Sequence, residues 1–180
     1  MIAMSILAAV AVILLLPYIK RAIGRGKTIR ALRKISALRK YKLEISNPFC
    51  VYFRNFSKNY DLTVDTGKVL YAVKFWDEYY KNSTFVFSGT RSVSRVIKGT
   101  DVFDRDNKHT AERRLGKFYK LSCNNRGRYE INLFLVNTDT TAIFYFEGGN
   151  LERLKEGDLL YGMRLTSHKA FLEGVGKPKA

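Results

Sequence analysis

Short alternating runs set between Gly, Asn and Asp turns predict a soluble part that is mainly β or α+β. A nineteen-residue apolar run and a basic segment ahead of it predict that this part is carried on a membrane anchor. The expected order is an N-terminal transmembrane helix over 1–19, a basic juxtamembrane helix over 20–42 and one compact antiparallel β-rich domain over 43–173. That domain would be a sandwich or open barrel, and a flexible tail would follow over 174–180.

Between Met1 and Ile19 the only polar side chains are Ser5 and Tyr18. About 20 helical residues rising ~1.5 Å each cover the ~30 Å hydrocarbon core, so the run is just long enough. Pro17 falls where such a helix would leave the hydrocarbon. A cleaved secretory signal fits less well, because no charged side chain precedes the run, and Ala8, Ala9 and Ala11 lie inside it instead of after it.

The next stretch holds ten cations and no acid: Lys20, Arg21, Arg25, Lys27, Arg30, Arg33, Lys34, Arg39, Lys40 and Lys42. Charge on this side of a span is retained in the cytoplasm, which predicts a single-pass cell-membrane protein with its bulk cytoplasmic. Each cation close to anionic lipid contributes about 1 kcal/mol, so all ten are candidate lipid contacts. Gly24 and Gly26 predict a helix break past the membrane surface. Ile29, Leu32, Ile35 and Leu38 recur every three residues, an apolar stripe that drifts around a 3.6-residue helix. Gly26-Lys27-Thr28 matches the end of a phosphate-binding loop, but Arg21 stands where the loop needs its first Gly, so nucleotide binding does not follow.

Most of the formal +16 belongs to this segment; beyond Lys42, twenty-two cations against sixteen acids leave +6. Residues 42–45 and 49–54 read as strands around Asn47-Pro48, and 61–64 with 69–76 as a hairpin around Asp65-Thr66-Gly67-Lys68. In its second strand Val69, Tyr71, Val73 and Phe75 share a face, and the opposite face of Leu70, Ala72, Lys74 and Trp76 is apolar enough to be covered too. Residues 83–88 and 92–98 pair around Gly89-Thr90. A polar loop over 101–107, a short helix over 110–115 and a strand over 117–122 come next. Residues 129–136 and 141–146, joined by a short turn over 137–140, are the strongest β signal, then a helix over 151–156 capped by Asn150 and a strand over 159–166. Successive hairpins without long crossover helices predict antiparallel pairing.

Chemistry is sparse. His109 and His168 stand 59 positions apart with no zinc-type spacing, and both read as solvated. Asp101, Asp104, Asp106 and Asn107 lack the Gly and Glu of a calcium loop. Cys50 and Cys123, 73 positions apart, read as small apolar residues of a reducing compartment. No metal and no cofactor are expected. Arg113, Arg114, Lys117, Lys120, Arg126 and Arg128, interleaved with Phe118, Tyr119 and Tyr129, make nucleic acid a possible but not favoured partner. The aromatics of strands are core by default and the cations between them are the wet face.

Asp61 near one strand and Lys74 on the next, after a helix over 28–40, resemble the core of the restriction-endonuclease-like nucleases. In that family an acid is followed on the next strand by an acid, any residue and a lysine. The resemblance covers about 16 residues and implies a metal-dependent nuclease site, but the second acid is replaced by Ala72. Loss of one carboxylate removes a first-shell metal ligand, so the pattern implies at most a degenerate relative. The expected function is therefore a non-catalytic interaction or scaffold domain near anionic lipid headgroups, bound to a protein partner that the sequence does not identify.

Overall fold

The structure, a computed structural model, describes residues 2–46, 48–53, 60–76, 83–89, 92–96, 112–114, 129–136 and 141–177. They form a strand-rich mixed α/β arrangement of two sheets.

Helix α1 (Ile2–Arg39) runs without interruption through Gly24 and Gly26, so the expected break is absent. Each Gly costs a helix about 1 kcal/mol, and packing outweighs it: Arg25, Thr28, Ile29, Leu32 and Ser36 are all buried within the following turns. The helix ends in a Schellman turn, with Lys40 in the left-handed region at φ 57° and the Tyr41 N–H donating to Ser36 O at 2.9 Å. Among the described residues, no helix is long and apolar enough to cross a membrane.

Strand β1 (Lys42–Ile45) is followed by α2 (Pro48–Phe53), a helix in place of the expected strand. Pro48 occupies its first turn, where a missing N–H has no intrahelical partner to lose. Strands β2 (Leu62–Asp65) and β3 (Val69–Trp76) form the expected hairpin, with Gly67 at φ 85° and its N–H bonded to Asp65 Oδ1 at 2.8 Å. The chain then enters the second sheet through β4 (Ser83–Ser88), β5 (Ser92–Val96) and β6 (Glu112–Arg114). The last is a strand in place of the helix expected over 110–115. The chain returns to the first sheet at β7 (Tyr129–Val136) and leaves again for β8 (Thr141–Glu147) and β9 (Asn150–Leu154). Strands β10 (Leu159–Leu160) and β11 (Met163–Ser167) and helix α3 (His168–Gly176) complete the first sheet and its cover.

The first sheet has the order β1-β2-β3-β7-β11-β10 and the second β6-β5-β4-β8-β9. The expectation of all-antiparallel pairing is corrected, since β3–β7, β7–β11 and β4–β8 are parallel. No crossover helix is needed between β3 and β7 because the strands of the second sheet lie between them in the chain. For the same reason β7 and β8 are not a hairpin but neighbours in sequence that belong to different sheets. The helix expected over 151–156 is strand β9. Gly148 and Gly149, at φ 59° and 86°, form the two-residue turn that folds it back on β8. A second such turn, Tyr161-Gly162, divides the single strand expected over 159–166 into β10 and β11.

Two apolar clusters lie on opposite faces of the first sheet. Ile29, Leu32, Val73, Phe75, Leu133, Leu135, Phe171 and Val175 fill the layer between sheet and helices. Trp76, Phe134 and Leu165 meet Phe85, Phe87 and Ile143 of the second sheet. The tail expected from Gly174 is corrected, because α3 extends to Gly176 and buries Val175. The basic segment is likewise part of this core through Ile29 and Leu32, while Leu38, where the stripe drifts away, is 83% exposed.

Candidate functional site

Helical periodicity divides the ten cations between two surfaces. Lys20, Lys27, Arg30 and Lys34 are exposed and, at 100° per residue, fall on the side of α1 away from Ile29 and Leu32, while Arg33, also exposed, lies about 40° from Ile29 at the edge of the buried side. Arg25 falls on the core side and is fully buried. Its Nη1 donates to Val51 O at 2.7 Å and its guanidinium stands 5.2 Å from the Phe75 ring centre. The structure thus gives Arg25 a partner in α2 and an aromatic face in β3, and does not place it with the outward cations. Arg21, half-buried, stands 5.9 Å over Tyr18. Arg39 donates to Gly176 O at 3.1 Å, Lys42 pairs with Glu44 at 2.5 Å, and Lys40 forms the turn that ends α1.

Above this cationic face α1 carries exposed apolar side chains, with Leu16 half-buried. Val12, Ile13, Leu14 and Leu15 are 56%, 65%, 66% and 54% exposed. Four consecutive helical positions point to every side of the helix, so no face of this stretch is turned into the domain.

A second polar constellation is internal. Asp61, just ahead of β2, and Lys74 of β3 meet on the sheet face that also carries Trp76, at 3.4 Å between Oδ1 and Nζ. Both side chains are fully buried. The other carboxylate oxygen accepts from Phe75 N at 2.8 Å, which pins the strand bearing the lysine to the residue bearing the acid. Ala72 lies two positions before Lys74 and pairs in register with Asn132, whose Oδ1 accepts from the Tyr60 hydroxyl. The sheet therefore brings together the acid and lysine that the sequence pattern singled out, with an amide where the strand beside Ala72 passes. Among the described residues no group of three or more His, Cys, Asp or Glu is placed to hold a metal ion. Buried from every side, the pair is placed to tie β2 to β3, and a substrate phosphate has no route to it in this conformation.

His168 is not the solvated residue that the sequence suggests. It begins α3, capped by Ser167 whose Oγ accepts from Ala170 N at 3.2 Å, and its ring stacks on Phe75 at 5.6 Å. Its Nδ1 is 2.8 Å from Thr28 Oγ1, joining α3 to α1. Sequence reasoning missed Arg25, Thr28 and His168 as one unit because they are up to 143 positions apart; the only signal was a Thr and an Arg on the apolar side of a basic helix. His109, Cys123, the acidic stretch 101–107, and Lys117, Phe118, Tyr119, Lys120, Arg126 and Arg128 of the nucleic-acid candidate lie outside the described residues, while Arg113 and Arg114 are in β6.

No family model, no curated protein and no solved structure matches this chain.

Proposed function

We propose that the chain is a single-pass membrane-anchored protein whose strand-rich domain sits on the cytoplasmic side as an interaction module, held near anionic headgroups. The observation that carries this reading is the apolar, all-round exposed stretch of α1 before a set of outward cations. A helix that is apolar on every side is at home within a protein core or in lipid, and among the described residues Val12 to Leu15 are all more than half exposed. Its sequence supplies nineteen residues without a charged side chain, within the range of about 17–25 that spans hydrocarbon. Because α1 continues unbroken into the domain core, the domain would be carried on a stiff stem and not on a flexible linker. Its partner would be another protein at the same membrane.

Alkaline extraction and protease protection test this together. The chain is expected to stay in the membrane pellet at high pH, and its domain to be protected in intact cells and degraded after lysis. Release by alkali refutes the anchor, and degradation in intact cells refutes the orientation.

A further inference from the structure

Where α1 passes α2 there is a groove of about 570 Å³, whose composition changes along its length. At the end nearer the N-terminus it is lined by Ile19 and Ile23, and further along by Lys27, Arg30 and Arg33, with Tyr52 of α2 as its other wall. Gly26 forms part of the floor, where a Cβ would come within 3.7 Å of the Tyr52 ring. No acid lines the groove among the described residues.

We propose that this groove holds one anionic phospholipid, with an acyl chain along Ile19 and Ile23 and its phosphate at Lys27, Arg30 and Arg33. The proposal rests on the membrane-anchored reading above and gives it a defined lipid site.

The axial spacing fits. The headgroup layer on each side of a bilayer is about 5–7 Å thick. From Ile23 to Lys27 the helix rises about 6 Å, and to Arg30 about 10 Å. A lipid tail lying along Ile19 and Ile23 therefore meets its first cation, Lys27, about one headgroup thickness further on, with Arg30 and Arg33, about 10 and 15 Å beyond Ile23, extending side chains that lean back toward the N-terminal end of the helix. Elsewhere on α1 charge begins at Lys20, so only the groove side carries its apolar surface a turn further before meeting cations. Ile19 and Ile23 are 47% and 54% exposed, consistent with surface that a lipid tail would cover. Two guanidinium groups add bidentate donors that match a phosphodiester better than a diffuse ammonium layer does.

The test uses the full chain reconstituted in phosphatidylcholine vesicles with and without phosphatidylglycerol. It is then extracted in mild detergent, and retained lipid is counted by native mass spectrometry. Phosphatidylglycerol is expected to be retained in preference to phosphatidylcholine. That preference is expected to fall by about tenfold or more in the triple variant K27Q/R30Q/R33Q, as loss of charges worth about a factor of five each implies. It should also fall in G26L, which fills the groove at constant charge. The charge-matched variant K68Q/R164Q/K169Q, altered at exposed positions of the domain, should keep it. Retention unaffected by both groove variants, or lost equally in the charge-matched one, overturns the groove while vesicle flotation still reports the anchor. Failure of the native chain to float instead overturns the anchor, and the groove with it. Tight binding of soluble glycerol 3-phosphate by the delipidated chain would show that a free phosphate and not a lipid is the ligand. Thermal midpoints of the variants close to that of the native chain show that the loss is not unfolding; should G26L be unstable, the exposed triple variant decides the matter alone.

Discussion

Replacing Lys74 by methionine removes a buried ammonium of similar length from beside Asp61 and leaves the carboxylate in place. At 3.4 Å and an effective dielectric of about 20, the direct attraction between the two groups is about 5 kcal/mol. Stripping water from each ion costs several kcal/mol, so the intact pair contributes little net stability. Either member alone keeps its desolvation cost and loses the attraction. Lys74→Met and Asp61→Ala are therefore each expected to destabilise the domain by about 3–5 kcal/mol, a large part of an ordinary domain's ~5–15 kcal/mol. The alanine variant also deprives Phe75 N–H of its acceptor. The double variant D61N/K74M keeps a carbonyl oxygen for that N–H and buries no charge, and should lie within about 1.5 kcal/mol of the native chain. Urea titration in mild detergent, followed by fluorescence, reads these differences directly. The single tryptophan, Trp76, is 1% exposed and its ring centre lies 5.2–5.6 Å from those of Phe85, Phe87 and Phe134. A double variant as unstable as the singles, or a Lys74→Met variant costing under about 1 kcal/mol, would refute the account of Asp61 and Lys74 as a mutually dependent core pair.

Two further outcomes rest on local geometry. Lys40→Gly relieves a non-glycine residue in the left-handed region at the end of α1 and should stabilise by about 1 kcal/mol, raising the thermal midpoint by about 2–4 °C; a lower midpoint refutes the Schellman reading. Burial raises the pKa of Tyr145 above the phenolic norm, and the hydrogen bond to Glu147 Oε2 at 3.0 Å and that carboxylate's charge raise it further. A raised phenol favours the protonated folded form, so its contribution is present below pH ~10 and is lost as pH rises through the folded pKa. Glu147→Gln should move the titration of Tyr145, followed by NMR, back toward the ordinary value without reaching it, since burial remains; an unchanged midpoint removes Glu147 from the explanation.

Local order along the chain was legible wherever a short-range preference had no rival. The Asp65-Thr66-Gly67-Lys68 hairpin appears as expected because its Asx bond and the positive φ of Gly67 are properties of four adjacent residues. Both faces of β3 are buried as its alternation implied, and the apolar side of α1 meets the sheet through Ile29 and Leu32. Of the candidate sites, the acid and lysine at positions 61 and 74 were found from a two-strand pattern, because residues on a hairpin meet through local register.

By itself the sequence determined that an uncharged apolar run is followed by a one-signed basic stretch, and that a strand-rich region of moderate charge comes after. These are properties of composition and nearest neighbours. Only the tertiary structure decided that β3 lies parallel to β7, that Arg25 turns inward while Lys27, Arg30 and Arg33 face out, and that Tyr52 walls a groove beside them. Parallel pairing depends on where the chain returns after more than fifty residues, and a cation's environment depends on which helix face finds the core. Neither is written in any window of adjacent residues. The apolar and basic helix and the strand-rich domain were legible as separate pieces; that they share one core comes from packing between residues as far apart as Ile29 and Val175.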